Sequence, residues 1–240
     1  MDYSETGAPR TPVPWTVRDM VYAGLATIGL MLVGFILLAI LAFALGIDVQ
    51  DPEQQALVVF AVFALEALMI PPVWWWSVRK YGTSPRILGL RGFRWLRGIG
   101  LTLLGLAVIL AINVGWSWVM ERFGLEGQPD LVPVFGEGIG GFLSALLVAG
   151  VVAPVAEELF FRGFLYAGLR DRWGLTAGLV VSSVLFGVIH LTPGVIFPII
   201  LMGAVFAVLF ELTDSVWPPI LLHALVNGLA VVGLYANAAI

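Results

Sequence analysis

Three charged side chains lie close together in one of the most apolar parts of the chain. The segment AEELFFRGFL, residues 156–165, carries Glu157, Glu158 and Arg162 among residues that suit lipid. A charge at the middle of a bilayer costs about 3 kcal/mol, and such residues normally face the bundle interior and serve a function there. The segment therefore indicates a polar site within the membrane, and Pro154 just before it predicts a helix kink that opens space beside the carboxyl groups.

Further polar side chains lie in other apolar segments. His190 ends the segment FGVIH, and His223 and Asn227 are spaced four residues apart in HALVN, on one face of a predicted helix. Counting about 1.5 Å per residue from the turn at 170–174 places Glu157 and His190, each on its own helix, at matching depths. We therefore predict that these side chains converge in the membrane.

Composition indicates the kind of fold that must position these residues. Of 240 residues, 60% are hydrophobic and 12% are charged, whereas a soluble globular protein carries about a quarter charged residues. Apolar runs of about 20 residues predict an all-α fold, a polytopic transmembrane helical bundle of about seven helices, with eight as the alternative count. The chain has no Cys, which excludes thiol chemistry. The predicted spans are 20–45, 56–77, 98–119, 140–170, 175–191, 195–212 and 217–236.

The distribution of charge predicts the orientation of the bundle. The segment 78–97 carries six basic residues and no acid, whereas the segments 46–55 and 120–139 are mainly acidic. By the positive-inside rule, the 78–97 loop and the N-terminus are cytoplasmic, and the turn near residue 171 lies on the same side. We expect a multi-pass protein of the plasma membrane. The positive-inside rule already explains the basic residues of the 78–97 segment, so no nucleic acid partner is expected.

Several of the polar residues also have a structural interpretation. Glu158 and Arg162 are spaced i,i+4 and can simply neutralise one another inside a bundle. Glu66 lies in the second predicted span, where we expect a hydrogen bond within the bundle, with a place along an access path as the alternative. Ser182 and Ser183 are expected to pack between helices. Packing alone does not readily explain six polar residues at one predicted depth: two acids, an arginine, two histidines and an asparagine. Their combination favours a functional site.

Three of these segments resemble the motifs of a known family. EELFFR, FGVIH and HALVN are similar to Glu-Glu-x-x-x-Arg, Phe-x-x-x-His and His-x-x-x-Asn, the motifs of the CPBP intramembrane proteases. That family includes type II CAAX prenyl endopeptidases and bacteriocin-processing or self-immunity proteins. The resemblance covers about residues 140–236. The catalytic residues that it implies are Glu157, Glu158, Arg162, His190, His223 and Asn227.

The resemblance also implies how the work is divided. In the family the first Glu and the first His activate the water, which assigns that step to Glu157 and His190. His223 and Asn227 would then donate hydrogen bonds to the oxyanion of the tetrahedral intermediate. Glu158 and Arg162 would form a pair that fixes the geometry of the helix that carries them. The alternative is that Glu158 takes part directly in the reaction.

Metal dependence stays open from the sequence. Glu157, His190 and His223 are a legitimate ligand set for catalytic zinc, and hydrolysis by a glutamate-activated water without a metal is the alternative. Other intramembrane protease classes lack their residues here, because the chain has neither a His-Glu-x-x-His nor a Gly-x-Ser-x-Gly motif.

The predicted function is an intramembrane endopeptidase whose substrate is a membrane-associated peptide or a lipidated protein, with membrane lipid around it. One alternative is a non-proteolytic partner-binding or bacteriocin-immunity protein of the same fold, and another is a proton or ion transporter. The oligomeric state is left open. The expected divisions of the chain are a cytoplasmic N-terminal lead-in (1–19), N-terminal transmembrane helices and loops (20–139) and a catalytic core of transmembrane helices (140–240).

Overall fold

The computed structural model describes residues 11–48, 51–124 and 135–238. Every regular element within these ranges is a helix, which confirms the predicted all-α bundle. Six helical segments are long and apolar enough to cross a membrane, and a seventh apolar helix is shorter. The helices are α1 (Val17–Ala44), α2 (Gln54–Arg79), α3 (Trp95–Phe123), α4 (Gly138–Trp173), α5 (Leu175–Val188), α6 (Ile196–Thr213) and α7 (Trp217–Ala238).

Each of the three predicted divisions contains residues that the structure does not describe. These are residues 1–10 in the lead-in, 49–50 and 125–134 in the N-terminal helices and loops, and 239–240 in the catalytic core. The described part of the lead-in runs from residue 11 to Thr16, and α1 begins at Val17, three residues before the predicted start of the span. Thr16 caps α1 by accepting a hydrogen bond from the Asp19 N–H. The division of the chain itself stays a prediction.

Several connecting segments meet at one end of the bundle. Lys80, just after α2, forms an ion pair with Asp19 in the first turn of α1. Arg91, in the loop between α2 and α3, contacts Asp214 at 2.9 Å in the turn between α6 and α7. Asp171, near the end of α4, accepts a hydrogen bond from the backbone of the lead-in at 2.8 Å. The basic loop, the lead-in and the α4–α5 turn thus share one end, and the membrane surface that this end faces stays a prediction.

Close backbone packing holds α4 on two sides just beyond its polar motif. Trp15 of the lead-in is fully buried, and its Nε1 donates to the carbonyl oxygen of Phe164 at 3.1 Å. The ring lies against Gly168, where a Cβ would come within 2.6 Å of Trp15 Nε1. A Cβ on Gly163 would come within 2.6 Å of the carbonyl oxygen of Leu88, in the loop between α2 and α3. Two glycines therefore let the lead-in and this loop reach the α4 backbone.

The α4 helix changes its hydrogen-bond pattern around the polar motif. Pro154 has no N–H to donate, so the helical ladder is interrupted there. The Ala153 N–H bonds instead to the carbonyl oxygen of Val148, five residues back. The carbonyl of Ala149 is thereby left without its usual ladder partner. Pro154 lies in a short α-helical stretch with π-helical turns on both sides, and the kink expected there stays a prediction. The three segments are Val148–Val152 (π), Ala153–Glu158 (α) and Leu159–Tyr166 (π).

The α5 helix is too short to cross the hydrocarbon core of a membrane on its own. Its 14 residues rise about 21 Å, less than the roughly 30 Å of the hydrocarbon core. The sequence predicts His190 on this helix, but the helix ends at Val188 and His190 lies in the following turn. The reason is local: the His190 Nδ1 bonds to the Phe186 carbonyl oxygen at 2.7 Å, which a continued helix would give to the His190 backbone N–H. That N–H bonds to the Gly187 carbonyl instead.

Replacing Gly163 with Ala should destabilise the protein by about 1–3 kcal/mol, because the added methyl group overlaps a backbone carbonyl that cannot rotate away. Thermal unfolding in detergent measures the effect. The control is Gly115→Ala in α3, where a Cβ meets open space and should stabilise the helix by about 0.5–1 kcal/mol. Equal melting temperatures for the two variants would contradict the close approach of the α2–α3 loop.

Candidate active site

Glu158 is the centre of a buried hydrogen-bond cluster. Its Oε1 accepts from the Arg162 Nη1 at 3.0 Å and from the His223 Nδ1 at 2.9 Å. The three residues are 0%, 1% and 3% exposed, respectively. The Arg162 Nη2 donates to the Gly203 carbonyl oxygen on α6 at 3.1 Å, which gives the buried guanidinium a second partner. The i,i+4 pair suggested by the sequence is formed, and it also fixes His223, a contact that the sequence does not predict.

Aromatic rings enclose this cluster. The Arg162 guanidinium carbon lies 4.2 Å from the ring centroid of Phe186 and 5.0 Å from that of Phe206, both within range of a cation–π interaction. Phe206 stacks on the His223 ring at 4.9 Å between centroids. Phe186 also contacts the His190 ring edge to face at 5.0 Å. Phe186, the aromatic residue of the second motif, thus contacts both Arg162 of the first motif and His190 of the second.

Glu157 is buried beside this cluster without joining its hydrogen bonds. It is 8% exposed, and its Oε2 has no hydrogen-bond partner among the described residues. The Oε2 of Glu158 is also without a partner there, but the Oε1 of Glu158 is held by the cluster, whereas no hydrogen bond of this kind holds Glu157. It interacts electrostatically with Glu158, Arg162 and Glu66. Buried polar atoms normally have partners, so a free carboxylate oxygen in this setting is a feature to be explained. This oxygen is available to bind a water or a substrate group.

His190 presents one free ring nitrogen beside the cluster. The Phe186 carbonyl oxygen can only accept, so the Nδ1 of His190 carries the hydrogen of the bond between them. In the neutral ring, Nε2 then carries the lone pair. The turn that holds His190 is itself supported, because Thr192 donates to the His190 carbonyl at 3.0 Å and Trp116 of α3 donates to the Gly194 carbonyl at 2.7 Å. This irregular backbone is therefore satisfied within the membrane.

Asn227 is held by the backbone irregularity of α4. It lies one helical turn after His223 on α7, and its Nδ2 donates to the Ala149 carbonyl oxygen at 2.8 Å. This is the carbonyl that Pro154 and the preceding π-helical turn leave without a ladder partner. One amide hydrogen is used in that bond, and the second remains for another acceptor. The third motif is thus positioned by a proline of α4.

The α6 helix supplies contacts that no sequence motif signals. Gly203 and Phe206 both touch the polar cluster, yet they belong to an apolar run without a polar side chain, LMGAVFAVLF. A Cβ on Gly203 would lie 3.1 Å from Phe186 Cδ1 and 3.3 Å from Ser183 Cα, so α6 approaches α5 closely here. The available signal is a small residue in the middle of a span. Ser183 packs at this crossing, in agreement with its expected packing role.

Glu157, His190 and His223 are the residues expected to hold a metal ion. Among the residues that the structure describes, no three His, Asp or Glu side chains are arranged to hold a metal ion. The Nδ1 of His223 is bonded to Glu158 and that of His190 to a backbone carbonyl, which leaves the Nε2 of each ring as its possible metal ligand. Zinc dependence stays a prediction.

Comparison with known proteins agrees with the geometry. The model of a family described as type II CAAX prenyl endopeptidase Rce1-like matches residues 139–229. This segment of the chain is therefore similar to the CAAX prenyl endopeptidase family. All six candidate catalytic residues lie within the matched range. With its apolar helices, the chain is a multi-pass membrane protein.

Individual relatives are more distant. The chain is 30% identical over 141 residues to "Putative membrane peptidase YdiL" of Bacillus subtilis. The aligned region covers 54% of this chain and 57% of the relative. It is 27% identical over 137 residues to "Uncharacterized 24.3 kDa protein" of Escherichia coli, covering 53% and 61%. An "Uncharacterized protein" of Mycoplasma capricolum is 28% identical over 151 residues, covering 58% and 41%. The chain thus spans about half the length of these curated relatives. No solved structure matches it.

The two glutamates should differ sharply in their effect on stability. Glu158→Gln leaves the buried Arg162 guanidinium without its counter-charge and should cost about 3–5 kcal/mol. Glu157→Gln removes no hydrogen bond of Oε2 and should change the free energy of unfolding by less than about 1 kcal/mol. Thermal unfolding of the two purified variants in one detergent makes the comparison. Equal destabilisation by both variants would contradict the assignment of the ion pair to Glu158.

Proposed function

We propose that this protein is an intramembrane endopeptidase that hydrolyses a peptide bond in a membrane-associated peptide or a lipidated protein. The observation that carries the proposal is the free, buried Oε2 of Glu157 beside a fixed cluster of Glu158, Arg162 and His223. The similarity of residues 139–229 to the CAAX prenyl endopeptidase family supports it. We also propose that the protein lies in the plasma membrane with its N-terminus in the cytoplasm, on the basis of the charge distribution.

The first step is addition of water to the peptide carbonyl. Glu157 accepts one proton from the water while the water oxygen bonds to the carbonyl carbon, which makes Glu157 the general base. The lone pair on His190 Nε2 accepts a hydrogen bond from the same water and orients it. Both groups are buried or half-buried in an apolar surrounding that excludes competing solvent.

The second step is stabilisation and collapse of the tetrahedral intermediate. Glu158 holds the His223 ring through Nδ1, and His223 is the proposed hydrogen-bond donor to the oxyanion. The second amide hydrogen of Asn227 provides another donor. The proton held by Glu157 then passes to the amine nitrogen as the C–N bond breaks, and the general base is regenerated. Glu158 thus acts through His223 and does not itself touch the substrate.

Cleavage should depend on Glu157. Glu157→Gln removes the base and should lower the rate on a susceptible lipidated peptide by about 10²–10⁴-fold in reconstituted vesicles. His190→Ala should also lower it, whereas the control Ser182→Ala should not, because Ser182 bonds only to the Leu179 carbonyl of its own helix among the described residues.

The natural substrate can be sought with the same variants. Membranes of cells that express Glu157→Gln should accumulate at least one longer protein or peptide than membranes of cells that express the unaltered chain. Identical membrane proteomes, together with no cleavage of any lipidated peptide by the reconstituted protein, would favour a partner-binding protein of the same fold.

We propose that hydrolysis does not require zinc, because among the described residues no three His, Asp or Glu side chains are arranged to hold a metal ion. We expect full activity from purified protein whose measured zinc content is well below one ion per chain, with and without a chelator. Activity that rises in proportion to bound zinc, and is lost with chelator and restored by zinc, would support the ligand set of Glu157, His190 and His223 instead.

A further inference from the structure

A carboxyl group with a buried, unpartnered oxygen also lies outside the three motifs, on α2. Glu66 is in the 3-10 helical turn Leu65–Met69, within a membrane span, and its Oε2 is buried without a hydrogen-bond partner among the described residues. The hydrogen bond within the bundle that the sequence predicts for this residue is therefore not formed by that oxygen. A carboxyl group in a span costs about 3 kcal/mol, so one without a protein partner at Oε2 indicates a functional role.

The local backbone determines which side of α2 carries Glu66. In a 3-10 turn, residues three apart lie above one another. Leu65 and Leu68 share one side and pack against α1, where a Cβ on Gly34 would come within 3.0 and 3.2 Å of their methyl groups. Glu66 shares the other side with the buried Met69. Glu66 is thereby turned away from α1.

The segment of α4 that carries Glu157 packs against this turn of α2. Residues Ala153–Glu158 and Leu65–Met69 are in direct contact, and the carboxyl groups of Glu66 and Glu157 are close enough to interact electrostatically. Each has a buried Oε2 that no described protein group satisfies. Two such oxygens on packed helices form a polar site that suits a water molecule, which can donate one hydrogen bond to each.

We propose that Glu66 and Glu157 together hold the water that attacks the peptide bond, which makes Glu66 a further catalytic residue. This inference rests on the proposed function and deepens it. Glu157 takes the proton as the water oxygen adds to the carbonyl carbon. The other O–H of the water is shared in a three-centre hydrogen bond between Glu66 Oε2 and His190 Nε2, which orients the attacking lone pair. The hydrogen that Glu66 holds stays on the oxygen and leaves as part of the new carboxylic acid.

The kinetic test replaces Glu66 with Leu and with Gln. Glu66→Leu cannot hold the water and should lower kcat on the order of a hundredfold with KM unchanged, because the peptide contacts are intact. Glu66→Gln keeps a hydrogen-bond acceptor and should retain most of kcat. The proposal is overturned if Glu66→Leu retains kcat or changes only KM while Glu157→Gln is inactive. In that outcome the proposed endopeptidase function still stands.

A second test does not depend on cleavage. If one water joins the two carboxyl groups, the changes in melting temperature caused by Glu66→Leu and Glu157→Leu should fail to add in the double variant. The matched control pairs Glu157→Leu with Asn113→Leu, a polar residue of α3 whose helix packs against α6 and α7, and these two shifts should add. Additive shifts for the Glu66 and Glu157 pair would overturn the shared water, whatever the activity of the protein.

Discussion

A single buried carboxylate oxygen joins the helices on which the candidate site depends. The Oε1 of Glu158 binds Arg162 on its own helix and His223 on α7, and Arg162 reaches α6 through the Gly203 carbonyl. Neither charge can be left in an apolar interior without the other, because an unpaired buried charge costs several kcal/mol. Three helices must therefore meet at this point, and their approach brings the aromatic ring of Phe186 against both histidines.

The site also depends on backbone carbonyls that regular helices would occupy. Arg162 binds a carbonyl of α6, His190 binds one at the end of α5, and Asn227 binds the one released beside Pro154. Within a membrane, each backbone polar group must find a partner inside the protein. Helix irregularities and polar side chains are therefore matched: an interruption of the ladder needs a donor, and the donor is held in place by filling that need. The proline and the asparagine are one structural unit although they lie on different helices.

Much of this arrangement follows from the sequence, and what does not has physical causes. Apolar length predicts the spans, and counting from the turn near residue 171 brings Glu157 and His190 to one depth. The same counting misses the end of α5, because the His190 ring takes the carbonyl that would have continued the helix. It also misses Phe206 and Gly203, since apolar contacts leave no distinctive pattern in an apolar helix. The hydrogen bond between His223 and Glu158 depends on tertiary packing, because the motif alone does not show which of two adjacent glutamates faces α7.

Adjacent glutamates are not equivalent on a helix. Successive residues are rotated by about 100°, so two neighbouring side chains cannot serve the same point in space. Glu158 turns to α6 and α7, where its charge is neutralised and its oxygen is shared. The segment of α4 that carries Glu157 packs against the turn of α2 that carries Glu66, and Glu157 forms no ion pair among the described residues. The pair thereby divides two roles: Glu158 provides a charge that hydrogen bonds to Arg162 and His223 hold in place, and Glu157 provides a carboxyl group that these residues do not occupy.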